Sequence, residues 1–371
     1  MWWQFFNVSE EDEKNYQPGK IIKEKINEVL IENREKKSES KEGKIIITQS
    51  DMKNFFPCHR KWIFSNVIKL KEDSLDTDLM QPFDMGTINH KILELFMSDY
   101  QKSQNPLPVA KNGTFENEDE IKALVKKYAG LAISWGSEEY SKSPLTQKML
   151  TSQLDEITNH IMDFLHGFLQ ANLPPEKFNK TSKTQGYGGC IVKGVELNLS
   201  AQNPDATYNY YGKLDLLLAS SIQNTDATGW TIIDYKNTKI PAAKNIVLDE
   251  DGKLSDFQMP MYISLIQKNN NTTEIDVARF YSIKDVSTSA AIDRFTQEKA
   301  EENFAPVMDA FKEYSEKFAS DVYSGNLAPD SKTVDIYKDC INCNFKSVCR
   351  YNYEVSKRTM QKKADNTEEA E

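Results

Sequence analysis

YNYYGKLDLLLA, residues 208–219, and GWTIIDYK, residues 229–236, decide how this chain folds. Each alternates with a period of two and reads as a strand, with a short polar link between them. CIVKGVELNLS, residues 190–200, reads as a strand on the same grounds. Three such segments in succession predict an antiparallel meander. Residues two apart on a strand share a face, so Asp234 and Lys236 point the same way, and Tyr235 and Ile233 point the other way. Asp215 sits among Leu214, Leu216, Leu217 and Leu218, where a carboxylate is costly to bury unless something pairs with it. Two carboxylates on neighbouring strands repel each other unless a cation lies between them. Oxygen donors select a hard ion, magnesium or manganese. Such an ion would polarise a phosphoryl oxygen and acidify a bound water, with Lys236 beside that water to orient it or to meet developing charge. This is the chemistry of phosphodiester hydrolysis. Taken alone, Asp-x-Lys is short, and ordinary strand ends carry it too.

Working outward, the remainder reads mostly as helix. Residues 1–44 form a charged N-terminal helix and linker, with sparse apolar positions over 20–43. SDMKNFFPCHRKWIFSNV predicts a helix with Ser50 or Asp51 near its cap, and DMGTINHKILELFMSDY a second. Residues 101–120 are polar and read as loop. Residues 121–171 read as two or three helices that end before Pro174-Pro175. A helix around 256–268, a strand over 275–283 and a long amphipathic helix over 293–323 follow the meander. A polar tail runs from about 358 to 371. The expected class is therefore α/β, with a helical insertion over about 98–180 ahead of a sheet over about 188–285.

Bulk properties narrow the function. The chain has 371 residues, 39% of them hydrophobic, so a sizeable core is available. It contains no run of apolar residues long enough for a membrane span. MWWQFFNVSEEDEK lacks the basic start of a secretory signal. Five cysteines are too few for a disulfide scaffold in a chain of this length, so a cytoplasmic location is expected. The net charge of −10 argues against indiscriminate binding to nucleic acid but leaves room for a local basic groove. The chain has no G-x-x-x-x-G-K-[ST] loop, so any motor would come from a partner.

Three further groups draw attention. His90 falls at the edge of an apolar helical arc centred on Ile88, Ile92 and Leu95, where it reads as a core histidine or as a ligand aimed beside the helix. Gln258 and Tyr262 are four apart and share a helix face. Pro260 between them is tolerable only in a first turn. The pair therefore sits at a helix N-terminus capped by Ser255 or Asp256, where phosphate is favoured; alternatively Tyr262 packs with Met259, Ile263 and Ile266. The cysteines Cys340, Cys343 and Cys349 in CINCNFKSVC are the third group. Cys340 and Cys343 would make half a zinc site, but a second close pair is missing. A fourth ligand would have to come from elsewhere, and Cys58 lies among aromatic and basic neighbours. Cys190 opens a strand and reads as a small buried apolar residue. Four thiolates and no histidine suit an iron–sulfur cluster. His59, His160 and His166 read as structural.

G-x-x-D at 212–215 followed by D-x-K at 234–236 resembles the PD-(D/E)XK nuclease superfamily in its RecB-like branch. MGTINH (85–90) is similar to that branch's first motif, whose histidine binds metal, and QMPMY (258–262) to its Q-x-x-x-Y motif. Cys58 with C340-x2-C343-x5-C349 resembles the split iron–sulfur motif of AddB-type and CRISPR-associated exonucleases. The likeness covers about residues 45–355. It implies a nuclease domain over 45–357 with a restriction-endonuclease-like mixed sheet flanked by helices. It also implies a long helix and iron–sulfur loop over about 293–352 that staples the C-terminus. His90, Asp215 and Asp234 would hold magnesium or manganese, with Asp215, Asp234 and Lys236 catalytic, and Gln258 and Tyr262 contacting DNA. Cys58, Cys340, Cys343 and Cys349 would hold a 4Fe–4S cluster of structural role, zinc being the rival occupant. In many relatives a proline follows the first cysteine, whereas here Pro57 precedes Cys58 and His59 follows it. The activity implied is metal-dependent DNA exonuclease action on single-stranded ends, in recombination or repair. The alternative is a DNA-binding subunit without a motor, working beside a helicase.

Overall fold

The structure is a computed structural model that describes residues 24–38, 42–70, 82–139, 144–171, 186–219, 229–270, 274–327, 340–341 and 343–349. The expected tail from 358 lies outside them. The chain divides into two compact units. One comprises Met1–Asp73, Asn203–Asn209 and Tyr314–Glu371, the other Ser74–Gln202 and Tyr210–Glu313. No helix among the described residues is long and apolar enough to cross a membrane.

In the first unit, helix α1 (Asn33–Ser38) leads to strand β1 (Ile45–Ile47), helix α2 (Gln49–Phe55) and helix α3 (His59–Trp62). The cap of α2 is Thr48, two or three residues earlier than the sequence suggests. Asp51 is fully buried and folds back onto it, accepting from the Thr48 amide at 2.9 Å. Asp51 also accepts from both Nη atoms of Arg34, from Trp62 Nε1 and from Asn66 Nδ2. Burial works against its charge, but the Arg34 guanidinium and the hydrogen bonds from Thr48 and Trp62 together hold the carboxyl below its usual range. Phe55 forms the centre of an aromatic cluster, 5.2 Å from Trp62 and 4.8 Å from Phe318 between ring centroids.

The second unit carries the sheet. Helices α4 (Pro82–Ser103), α5 (Glu118–Glu139), α6 (Pro144–Ser152) and α7 (Leu154–Phe168) come first. Strands β2 (Val192–Ala201), β3 (Tyr208–Ala219) and β4 (Gly229–Lys236) follow. After them run helix α8 (Ala243–Ile246), helix α9 (Gln258–Asn270) and strands β5 (Glu274–Ser282) and β6 (Thr288–Asp293). Helix α10 (Ala300–Ser324) closes the second unit, and from Tyr314 on its residues belong to the first. Helix α11 (Lys346–Cys349) is a single turn.

Strands β2, β3 and β4 form the expected antiparallel meander, β4 and β5 run parallel, and β5 and β6 are antiparallel. The sheet is therefore mixed. Its one parallel step needs a crossover, and the segment carrying α9 supplies it. Leu216, Leu218, Ile233, Tyr235 and Tyr281 join one core with Ile88, Ile92 and Phe96 of α4 and with Ile161, Phe164 and Phe168 of α7.

One expectation needs correction. The sheet does not stop at 285, and the long helix does not begin near 293. Residues 288–293 form β6, and α10 starts at Ala300. Asp293 is 1% exposed and forms a buried ion pair with Arg279 of β5. That partner lies in another strand, so the local sequence does not announce it.

Candidate active site

Three carboxylates line up across three strands. Val195 pairs with Leu216 and Leu197 with Leu214, so Glu196 stands opposite Asp215. Leu216 pairs with Ile233, and the same register continued by one residue sets Asp215 opposite Asp234. Because strand side chains alternate, Asp215 and Asp234 fall on the face opposite Leu216 and Ile233, which belong to the core. The Tyr235 amide donates to Asp215 Oδ2 at 2.9 Å where the two strands begin to part. Glu196 has φ of +50°, a left-handed backbone close to the irregularity in register at Val192 and Gly194. For a residue with a side chain, such a backbone costs on the order of 1–2 kcal/mol. Strain of this kind concentrates at functional sites.

Helix α4 brings His90 to the row. Its Nδ1 lies 3.6 Å from Asp215 Oδ2, and its ring meets Tyr235 edge-on at 6.0 Å. Burial lowers the His90 pKa despite the pull of Asp234 and Glu196, which keeps the imidazole neutral at neutral pH. One donor atom each from His90, Glu196 and Asp215 lies within 4.8 Å of the others. Two carboxylates and a neutral imidazole fit a hard divalent cation.

Helix α9 attends to Asp234. Gln258 Nε2 donates to Asp234 Oδ1 at 2.5 Å and lies 2.8 Å from the Tyr262 hydroxyl, which itself reaches Oδ1 at 3.4 Å. Lys236 Nζ stands 2.5 Å from Asp234 Oδ2 and donates to Gln258 Oε1 at 3.2 Å. Pro260 falls in the first turn, where its missing amide costs no bond. Asp256 caps that turn, accepting from the Gln258 and Met259 amides at 3.4 and 3.3 Å. The glycine of G-x-x-D has a steric reason here. A Cβ on Gly212 would lie 2.7 Å from Leu265 Cδ1 and 3.7 Å from Tyr262 Cε1, so α9 packs directly on that point of β3.

Electrostatics mark the row as short of positive charge. Burial, then Asp234 and Glu196, push the Asp215 carboxyl well above its ordinary range. Burial also raises Asp234, with Lys236 opposing. Asp256 is pushed up to about 6, chiefly by burial. The structure thus brings together His90, Asp215, Asp234, Lys236, Gln258 and Tyr262, and adds Glu196 and Asp256. Asp256 was visible as a possible cap. Glu196 carried no signal in sequence, because its relation to Asp215 depends on strand register. Lys213, beside it in the pairing, forms an ion pair with Glu196.

The cysteines other than Cys190 lie in the first unit. Cys58, Cys340, Cys343 and Cys349 are part-buried thiols outside any disulfide, whereas Cys190 is fully buried in the core of the second unit. Burial raises the Cys58 pKa, and the charges of Cys349 and Cys343 add to it, so these three sulfurs share one environment. Arg60 Nη1 lies 3.8 Å from Cys349 Sγ and donates to its carbonyl at 3.2 Å. His166 Nε2 pairs with Glu118 at 2.8 Å, a structural contact between α7 and α5.

A sequence model of the PD-(D/E)XK nuclease superfamily matches residues 46–350. Comparison with curated proteins gave no match.

Proposed function

The chain belongs to the PD-(D/E)XK nuclease superfamily, and from that premise we propose that it is a DNA exonuclease dependent on magnesium or manganese. The observation that carries this reading is the row Glu196, Asp215, Asp234 with His90 and Lys236 at its ends. His90, Asp215 and Asp234 would hold the ion, with Glu196, which lies with His90 and Asp215 within 4.8 Å, as a further ligand. When bound, the ion supplies charge neutralisation and acidifies a water. Lys236 keeps its ammonium group beside Asp234, where it meets charge developing on the phosphate. Gln258, half-buried next to Lys236, is placed to meet a substrate phosphate, while buried Tyr262 holds Asp234 in orientation. The preferred substrate is single-stranded DNA at its ends, in recombination or repair, with a helicase as a separate partner.

We assign Cys58, Cys340, Cys343 and Cys349 to a 4Fe–4S cluster. Four thiolates without a histidine are a donor set that suits such a cluster.

The test uses end-labelled single- and double-stranded DNA with Mg2+ or Mn2+ and compares the wild type with Asp215→Asn. Release of label by the wild type, lost in the variant, is the expected result. Equal cleavage by both overturns the assignment. DNA binding without cleavage by the wild type supports the helicase-partner subunit instead.

A further inference from the structure

Helix α4 delivers His90 to the carboxylate row, and its rotation and height must be fixed against the end of β4. Asn237, the residue after Lys236, makes the contact. Asn89 Nδ2 donates to Asn237 Oδ1 at 2.8 Å. One turn earlier, Gly86 lets the helix backbone close on the same residue, since a Cβ there would lie 3.4 Å from Asn237 Cβ. Asn237 is itself tied down, because its carbonyl accepts from the Lys284 amide at 3.2 Å and the Lys236 carbonyl from Ile283 at 2.8 Å. Asn89 is 2% exposed, and its Oδ1 is buried with no hydrogen-bond partner among the described residues. Leaving a buried acceptor unmade is costly, and an apolar residue would fill the same space without that cost. Fold stability alone therefore does not explain an asparagine here. Adjacent residues on a helix point about 100° apart, so a bond at Asn89 sets the direction in which His90 leaves the helix.

We infer that Asn89 and Asn237 form a clamp that positions His90 toward Asp215 and Glu196 for metal binding. This rests on the metal-nuclease reading. Asn237 directly follows the D-x-K segment, so the clamp couples the imidazole to the strand that bears Asp234 and Lys236. Neither asparagine touches the reacting atoms; both act through His90.

The test is a double-mutant cycle on the full chain, read by Mn2+ binding calorimetry alongside thermal melts. Asn237→Ala should weaken Mn2+ binding about tenfold, the scale of losing a group that orients a metal ligand. In a His90→Ala background the same substitution should change Mn2+ affinity by less than about twofold, because the clamp acts through that ring. A purely structural role would lower the melting temperature and leave the affinity loss equal in both backgrounds, which overturns the clamp. Unchanged affinity in Asn237→Ala overturns it as well. Asn89→Ala should reproduce the effect; if that buried change unfolds the chain, the half-buried Asn237 position still decides. Wild-type protein that binds no Mn2+ overturns the clamp together with the nuclease reading, whereas a wild type that binds while Asn237→Ala binds equally well overturns the clamp alone.

Discussion

Glu196 and Asp215 face each other across β2 and β3, and the helix residue His90 joins them within 4.8 Å. Glu196 also takes an ion pair from Lys213, whose side chain is 53% exposed. Exposed pairs of this kind contribute about 0–1 kcal/mol. Glu196→Gln should therefore leave the fold intact. It should weaken Mn2+ binding about tenfold or more, as expected when a charged donor is lost. The charge of Glu196 helps raise Asp215, so the variant should melt slightly higher than the wild type when no metal is present. Calorimetry and metal-free melts check both signs. A Glu196→Gln protein with wild-type Mn2+ affinity would remove Glu196 from the site.

Lys236→Met separates catalysis from metal binding. Lys236 stands 2.5 Å from a carboxylate that is 2% exposed. Removing one partner of a buried pair costs about 3–5 kcal/mol, and the one-third exposure of Lys236 reduces that figure. The metal-free variant should melt lower, and Mn2+ should recover part of the loss by neutralising the carboxylates. Cleavage should fall by about two to three orders of magnitude, the scale of losing a group that stabilises transition-state charge. The KM for DNA should move little. A variant that cleaves at the wild-type rate rules out the role given to Lys236.

Much of this site was legible in sequence because it depends on local spacing. Asp234 and Lys236 share a face by the period of a strand, and Gln258 and Tyr262 share a face by the period of a helix. Pro260 fixes where that helix can begin. What stayed hidden depends on residues distant in sequence. Glu196 reads as one polar position in an alternating strand until β2 is set in register with β3. Residue 293 reads as the start of the long helix, and 288–292 as no strand, because Arg279, the partner that makes Asp293 tolerable in a strand, lies in β5. Asn89 gains meaning only when Asn237 is placed beside it.

Asp256 predicts a pH-dependent stability. In the folded chain its carboxyl is pushed up to about 6 by burial, against about 3.9 for an unfolded chain. A raised acid penalises the folded state once ionised. The penalty is complete above the folded value, and it fades as pH falls from about 6 toward 4. Asp256→Asn keeps an oxygen for the Gln258 or Met259 amide and removes the charge. It should therefore be more stable than the wild type at a pH of about 8, by at most about 3 kcal/mol, and converge with it as the pH approaches 4. A stability difference that does not change across that range refutes the assignment of the effect to Asp256 ionisation.

The cysteine assignment gives the last prediction, and it is independent of the carboxylates. Thiols bind iron or zinc as thiolates, and burial disfavours that form at Cys58. The site therefore gains most from an occupant that neutralises several sulfurs at once, which a cluster does. Protein purified without oxygen should be brown and contain iron, and Cys58→Ser or Cys349→Ser should lose both colour and iron. Cys190→Ser should keep them, because Cys190 is buried in the other unit. Asp215→Asn should keep them too, which separates the cluster from the nuclease site. Arg60 reaches both the sulfur and the carbonyl of Cys349, so Arg60→Ala should retain iron while shifting the visible spectrum or the reduction potential, since donors to sulfur tune a cluster. Colourless protein carrying zinc would replace the cluster with a four-thiolate zinc site and leave the nuclease reading untouched.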